Sequence, residues 1–330
     1  MTPKHKRSQP PGTGNLLLAA ALTGGGATRY PLVVNAAPYT FRVRGARGTM
    51  PCSGRDFLRY GGNTSCFSLD TPQGILIVDA GTGMASVAKD IAKRDDCPPV
   101  VILFTHFHMD HVIGLPVFAP LYRPGAEVTL MADPRREHDW KASLRHFISH
   151  PYWPVGLGDG NPTMKLEHLP VQDGGMSRLG VTVTWFAVPH PQGCLAYRLS
   201  FGGKSVVVST DTEYSMDTVD AAFVAFCEGA DALIFDSQFT PPEYLSHVGW
   251  GHSTWEVAVR IAEQARVEQL VLTHHAPERS DVALDRIVRD ARSLFRNTAA
   301  AFEGMVLGKG AGGRPRRQSR ARRTTHGKTP

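Results

Sequence analysis

Four apolar runs in this 330-residue chain each lead directly into histidine or aspartate. "VVILF" (100–104) precedes "THFHMDH" (105–111), "VTVTWFAV" (181–188) precedes "PH", "SVVVST" (205–210) precedes Asp211, and "QLVLT" (269–273) precedes "HH". Short β-branched runs of this kind predict strands. Residues two apart in a strand face the same side, so His106 and His108 can point together. Asp110 and His111 fall on the turn leaving that strand. Imidazole nitrogens with one hard carboxylate suit zinc, manganese or iron. The rest of such a site is expected at the other strand ends: His190, Asp211, and His274 or His275. A carboxylate has two oxygens, so Asp211 is a natural bridge between two cations.

Further strands are predicted at 40–45, 75–79, 127–132, 195–201 and 232–236, and helices at 84–94, 136–149, 217–228, 253–266 and 281–295. Ser253 and Glu256 make a capping-box pattern, which sets His252 just before a helix. The stretch 133–175, with "SHPYWPVGLGDGNP", reads as a long surface excursion, and such loops often serve as lids or binding loops. Its Tyr152 and Trp153 are candidates for stacking on a substrate ring, with packing onto the body as the alternative. The alternation of strands and helices predicts a layered α/β or α+β domain over 36–308.

Net charge is +6, but it is concentrated at the ends. Residues 309–330 hold eight basic residues and 1–29 hold four, with no acid in either, which leaves about −6 for 30–308. A mildly acidic body is no nucleic-acid platform. The segment 309–330 reads as a disordered basic tail, and nucleic-acid contact through it is not favoured. Residues 1–35 read as a flexible extension. "KHKR" followed by "NLLLAAAL" imitates a signal peptide, so a cytoplasmic location is expected with export as the alternative. No run approaches the roughly 20 apolar residues of a membrane span. The five cysteines are odd in number and form no C-x-x-C pair, so they are expected as small buried hydrophobes.

"THFHMDH" is the H-x-H-x-D-H pattern, and the chain resembles metallo-β-lactamase-fold hydrolases through "DAGTGM" (79–84), "HPQG", "STDTE", "GHST" (251–254) and "LTHH". That resemblance implies an αββα sandwich with a two-metal site at one sheet edge. It implies that His106, His108 and His190 hold one ion, that Asp110, His111 and His274 hold the other, and that Asp211 bridges them. His274 is preferred over His275 because the family places its ligand directly after the strand. Asp79, a strand-ending aspartate before glycine, is either a turn residue or, by the resemblance, a support for the metal loop.

"GWGHSTWEVA" is similar to the corresponding element of the phosphodiesterase branch, which includes tRNA 3′-end-processing endonucleases and cyclic phosphodiesterases. The resemblance implies that His252 protonates the leaving oxygen, with Asp236 as its partner and Asp110 assisting the nucleophile. An Asp–His pair orients the imidazole and favours its protonated form. The expected activity is hydrolysis of a small or cyclic phosphodiester by a hydroxide shared between two divalent cations. Zinc is the first choice, with manganese or iron as alternatives. The preference for a small substrate follows from the lack of a long Gly/Pro-rich arm. A lactonase or thioesterase on the same metals is the first alternative. A metal-bearing nucleic-acid-binding or assembly protein is the second. Oligomeric state is not readable from the sequence.

Overall fold

A computed structural model describes residues 39–135, 139–171 and 175–307. The segments expected as an N-terminal extension (1–35) and a basic tail (309–330) lie outside these residues. The first sheet is formed by β1 (Thr40–Gly45), β2 (Cys66–Thr71), β3 (Gly74–Val78), β4 (Val100–Leu103), β5 (Val128–Ala132) and β6 (Lys165–His168), in that spatial order. β1–β3 pair antiparallel and β3–β6 parallel. The second sheet contains β7 (Met176–Arg178), β8 (Val181–Val188), β9 (Cys194–Phe201), β10 (Lys204–Ser209), β11 (Ala232–Asp236), β12 (Leu270–Thr273) and β13 (Thr298–Ala300), ordered β13-β12-β11-β10-β9-β8-β7.

The apolar runs are continuous because both faces of their strands are buried. In β4, Val101 and Leu103 enter the core between the sheets, while Val100 and Ile102 face the outer cluster. In β11, Ile234 faces the intersheet core, and Leu233 and Phe235 face outward. The outer clusters are covered by helices. α1 (Met84–Ile91) and α3 (Trp140–Phe147) cover the first sheet, and α2 (Met109–Val112) follows β4. α4 (Ala221–Cys227), α6 (Trp255–Gln264) and α7 (Asp281–Leu294) cover the second, with the short α5 (Pro241–Tyr244) between. The layers are therefore helix, sheet, sheet, helix, as expected. Removing a core side chain such as Leu103 down to alanine costs about 2–5 kcal/mol in sites of this kind.

Several sequence expectations are corrected. The cap of α6 is Thr254, whose Oγ1 accepts from Val257 N, rather than Ser253. The Ser253 hydroxyl is already engaged, donating to Thr212 O and accepting from Tyr214 N. The stretch 133–175, read as a surface excursion, holds α3 within the helix expected at 136–149 and also β6, which was not expected. Asn161, buried in this stretch, donates through Nδ2 to Pro120 O and Ala126 O, which pins the loop. β2, β6, β7 and β13 escaped the sequence reading. β6 and β7 are short sheet edges with exposed polar residues, and β13 is two alanines after a threonine. All five cysteines are free; three are buried, but Cys52 and Cys97 are only half-buried. Among the described residues no helix is long and apolar enough to cross a membrane.

The topology brings the strand exits to one edge. β10, β11 and β12 run parallel, and β8 shares their direction because each is antiparallel to β9. Their carboxyl ends deliver His190, Asp211, Asp236 and His274 together. Two bonds tie the β4 exit to this edge: Leu195 N donates to Thr105 O (3.1 Å) and Tyr197 OH donates to Phe104 O (2.8 Å).

Candidate metal centre

Three strand exits turn through the left-handed region at non-glycine residues: Asp79 (φ 60°), Asp211 (φ 44°) and His274 (φ 58°). Such conformations cost of order 1–3 kcal/mol each and cluster at functional sites. Here they turn three side chains that would otherwise follow the strand pleat toward one point.

Three groups of donors meet there, the smallest being Asp236, His252 and His274, and the two larger ones share Asp211. His106, His108, His190 and Asp211 form one, and Asp110, His111, His274 and Asp211 the other, each with its donor atoms within 4.8 Å of one another. Asp211 faces both. Its Oδ1 lies 3.6 Å from His106 Nε2 and 3.8 Å from His190 Nε2. Its Oδ2 lies 3.0 Å from His111 Nε2 and 3.1 Å from His274 Nε2. Asp110 Oδ2 closes the second group at 3.2 Å from His111 and 3.3 Å from His274. Donors about 2.1 Å from a tetrahedral cation stand roughly 3.4 Å apart, so these spacings suit a divalent ion. His106 Nε2, His111 Nε2 and Asp211 Oδ2 are buried without a hydrogen-bond partner. Orphaned buried donors of this chemistry fit a cation.

Each histidine is held by its other nitrogen, which fixes the atom left for the centre. His111 Nδ1 donates to Asp79 Oδ2 (2.7 Å), and Thr105 Oγ1 donates to the same oxygen (2.8 Å). Thr105 Oγ1 in turn accepts from His106 Nδ1 at 3.0 Å. Asp79 thus orients two candidate ligands and is more than a turn residue. His190 Nδ1 donates to Gly251 O (2.8 Å), His274 Nδ1 to Gln238 Oε1 (2.9 Å), and His108 Nε2 to Gln192 Oε1 (3.2 Å). His108 is the exception in offering Nδ1, which lies 3.1 Å from His190 Nε2. Thr49 N donates to Asp110 Oδ2 (2.8 Å). Two glycines press against these rings: a Cβ on Gly48 would lie 2.1 Å from His274 Nδ1, and one on Gly251 2.2 Å from His190 Nδ1.

His275 is not in the cluster. Its Nε2 donates to Ala301 O, 3.0 Å away on the intersheet side. Burial, with Arg47 adding to it, pushes its imidazole down to about 3. His252 lies beside the cluster, its ring 4.8 Å from His274 and 5.4 Å from His190. Its Nδ1 donates to Asp236 Oδ2 at 2.8 Å. Asp236 also accepts from Thr212 N and Gln238 N. Trp153 packs into the apolar cluster behind the first sheet, and Tyr152 sits exposed, edge-on to His146. Gln238, Gln192, Thr105 and Thr49 were missed because no spacing rule marks a residue that acts through a ligand.

The charge balance has a measurable consequence. Burial pulls the His274 imidazole down, but Asp211 and Asp110 outweigh it and hold it up to about 10. Burial likewise works against His111, and Asp211, Asp110 and Asp79 raise it well above its ordinary 6.5. Both rings are thus held toward their protonated forms without metal, and a cation needs them neutral. Zinc added to chelator-stripped protein in weak buffer is expected to release about two protons per chain, read with a pH indicator. Affinity should rise with pH toward about 10, the value to which His274 is held. Zinc uptake without acidification would refute this balance. In metal-free protein the His274 pairing stabilises the fold fully below pH 6.5 and loses that effect as pH rises through about 10.

The αββα fold and the clustered histidine and aspartate donors at one sheet edge define a metallo-β-lactamase-type protein. Residues 75–275 match the Beta-lactamase superfamily domain, and the chain belongs to that family. Ribonuclease Z of Trichodesmium erythraeum is 25% identical over 248 residues, covering 61% of this chain and 76% of that one. Ribonuclease Z of Anoxybacillus flavithermus is 31% identical over 101 residues, a match spanning 31% of either chain and so only about a third of that relative. The metallo-beta-lactamase fold protein YhfI from Bacillus subtilis shares the fold, with a TM-score of 0.62 at 21% identity, covering 82% of this chain and 99% of that one.

Proposed function

We propose that this chain is a metal-dependent hydrolase of phosphodiesters. The observation that carries the reading is the His252–Asp236 pair set against two donor groups that share the buried Asp211. When bound, two divalent cations, zinc first and manganese or iron as alternatives, supply charge for the phosphate oxygens and a water acidic enough to ionise near neutral pH. His106, His108 and His190 would hold one, Asp110, His111 and His274 the other, and Asp211 both. Asp110, one oxygen held by Thr49 N–H, faces the same space and orients the attacking water. Asp236 fixes the His252 ring through Nδ1, which leaves Nε2–H to protonate the departing oxygen.

Relatives named Ribonuclease Z favour an RNA diester over the small or cyclic diester expected from the sequence. A lactone or thioester substrate would leave His252 dispensable. The test is a panel of bis(p-nitrophenyl) phosphate, a short RNA, a lactone and a β-lactam, assayed with zinc or manganese. Turnover of at least one phosphodiester is expected. Cleavage of the lactone or β-lactam with neither phosphodiester touched would overturn the reading, and the RNA arm separates the two substrate sizes.

A further inference from the structure

A cleft of about 620 Å³ opens beside the donor cluster and shares His190 with it. Its walls are mostly apolar, formed by Pro189, Pro191, Tyr214, Tyr244 and Val248. No lysine or arginine is among the described residues that line it. Its one charged group, Glu213, is consumed by the wall. Oε1 accepts from Gly249 N (2.7 Å) and Tyr244 OH (3.0 Å), and Oε2 from Gly251 N (2.6 Å). These bonds hold the 244–251 segment in place, so the cleft is formed before anything enters it. The same segment leaves Leu245, Val248 and Trp250 more than half exposed. Large side chains left exposed together near a site mark a contact surface for an apolar group.

These features select the occupant. A second phosphate would need a cation or free backbone donors, and here the N–H groups of Gly249 and Gly251 are already taken by Glu213. The volume lies within the range that holds a small organic group. Ser215 and Thr218 add hydroxyls to the otherwise apolar lining. We propose that this cleft holds a planar, uncharged ring attached to the scissile phosphate, a nucleobase or another aryl group. The proposal rests on the phosphodiesterase reading and names the part of the ester that the chain selects. A ring seated against His190 places its phosphate over the shared donor cluster.

The test uses Val248→Glu, a change at an exposed position that puts charge into the cleft. Saturation-transfer NMR with adenosine should mark the base protons in wild type and lose that signal in the variant. KM for bis(p-nitrophenyl) phosphate should rise by about tenfold or more, since stacking of rings contributes on that scale. Metal content and circular dichroism should match wild type. Absence of adenosine saturation in wild type, or saturation and KM both unchanged in the variant, would overturn the cleft assignment. Adenosine saturation that depends on Val248, in a protein that turns over no phosphodiester, would support the cleft and sink the phosphodiesterase reading instead.

Discussion

Replacing His252 with alanine is expected to lower turnover of a diester with an alkoxide leaving group by about 10²–10⁴, with metal content unchanged. The side chain lies beside both donor groups, but its Nδ1 is taken by Asp236. The ring touches His274 and His190 in stacking and edge contacts. The role proposed for it is therefore proton delivery. An alkoxide needs that proton in the transition state, whereas p-nitrophenolate leaves almost unaided. The loss should accordingly be much smaller on bis(p-nitrophenyl) phosphate than on an RNA or alkyl ester. Asp236→Asn should reproduce much of the effect, and the double variant should be far from multiplicative, as for residues that act as a unit. Elemental analysis supplies the control: if His252→Ala strips the metal, His252 is a ligand and the general-acid role is wrong.

Asp211→Asn is expected to cost more than about 100-fold in metal affinity, beyond what removal of a supporting hydrogen bond costs. Asp211 is the only residue common to both larger donor groups, one oxygen toward each. An amide offers one neutral oxygen and a nitrogen that can only donate. Whichever way it turns, one group meets an N–H and the other only a neutral oxygen in place of the carboxylate. The same carboxylate helps hold protons on His111 and His274, so the metal-free variant should also release fewer protons on zinc uptake. Retention of wild-type metal content after dialysis would show that Asp211 does not link the two groups.

The legibility of the site varied residue by residue. His106, His108, Asp110, His111, His190, Asp211 and His274 were readable because each follows an apolar run that cannot end on buried charge without a reason. His252 was readable from "GHST" but its cap was misplaced by one residue, because Ser253 and Thr254 carry equivalent hydroxyls and only the packed neighbours, Thr212 and Tyr214, choose between them. Asp79 was ambiguous until its oxygens were seen to accept from His111 and Thr105. Tyr152 and Trp153 were legible only as aromatics of one loop; the structure anchors that loop through Asn161, packs Trp153 on the outer cluster and leaves Tyr152 exposed.

Ligand type and the buried strands that lead into it are local properties, set by runs of side chains that must be buried and by donors that end them, and the sequence by itself determined these; β2, β6, β7 and β13, which lead into no donor, became visible only in the folded sheets. The residues alone leave His274 and His275 open, and only the family resemblance prefers His274. Tertiary structure supplied the physical reason: one ring turns through a positive φ into the cluster and the next is paired with Ala301. It alone decided that Asp211 divides its oxygens between two groups, that Gln238, Gln192 and Thr105 set the free nitrogen of their histidines, and that a mostly apolar cleft lies against His190. Those relations join residues far apart in the chain, such as His108 and Gln192, 84 positions apart, and no local pattern encodes a distance across a folded sheet edge.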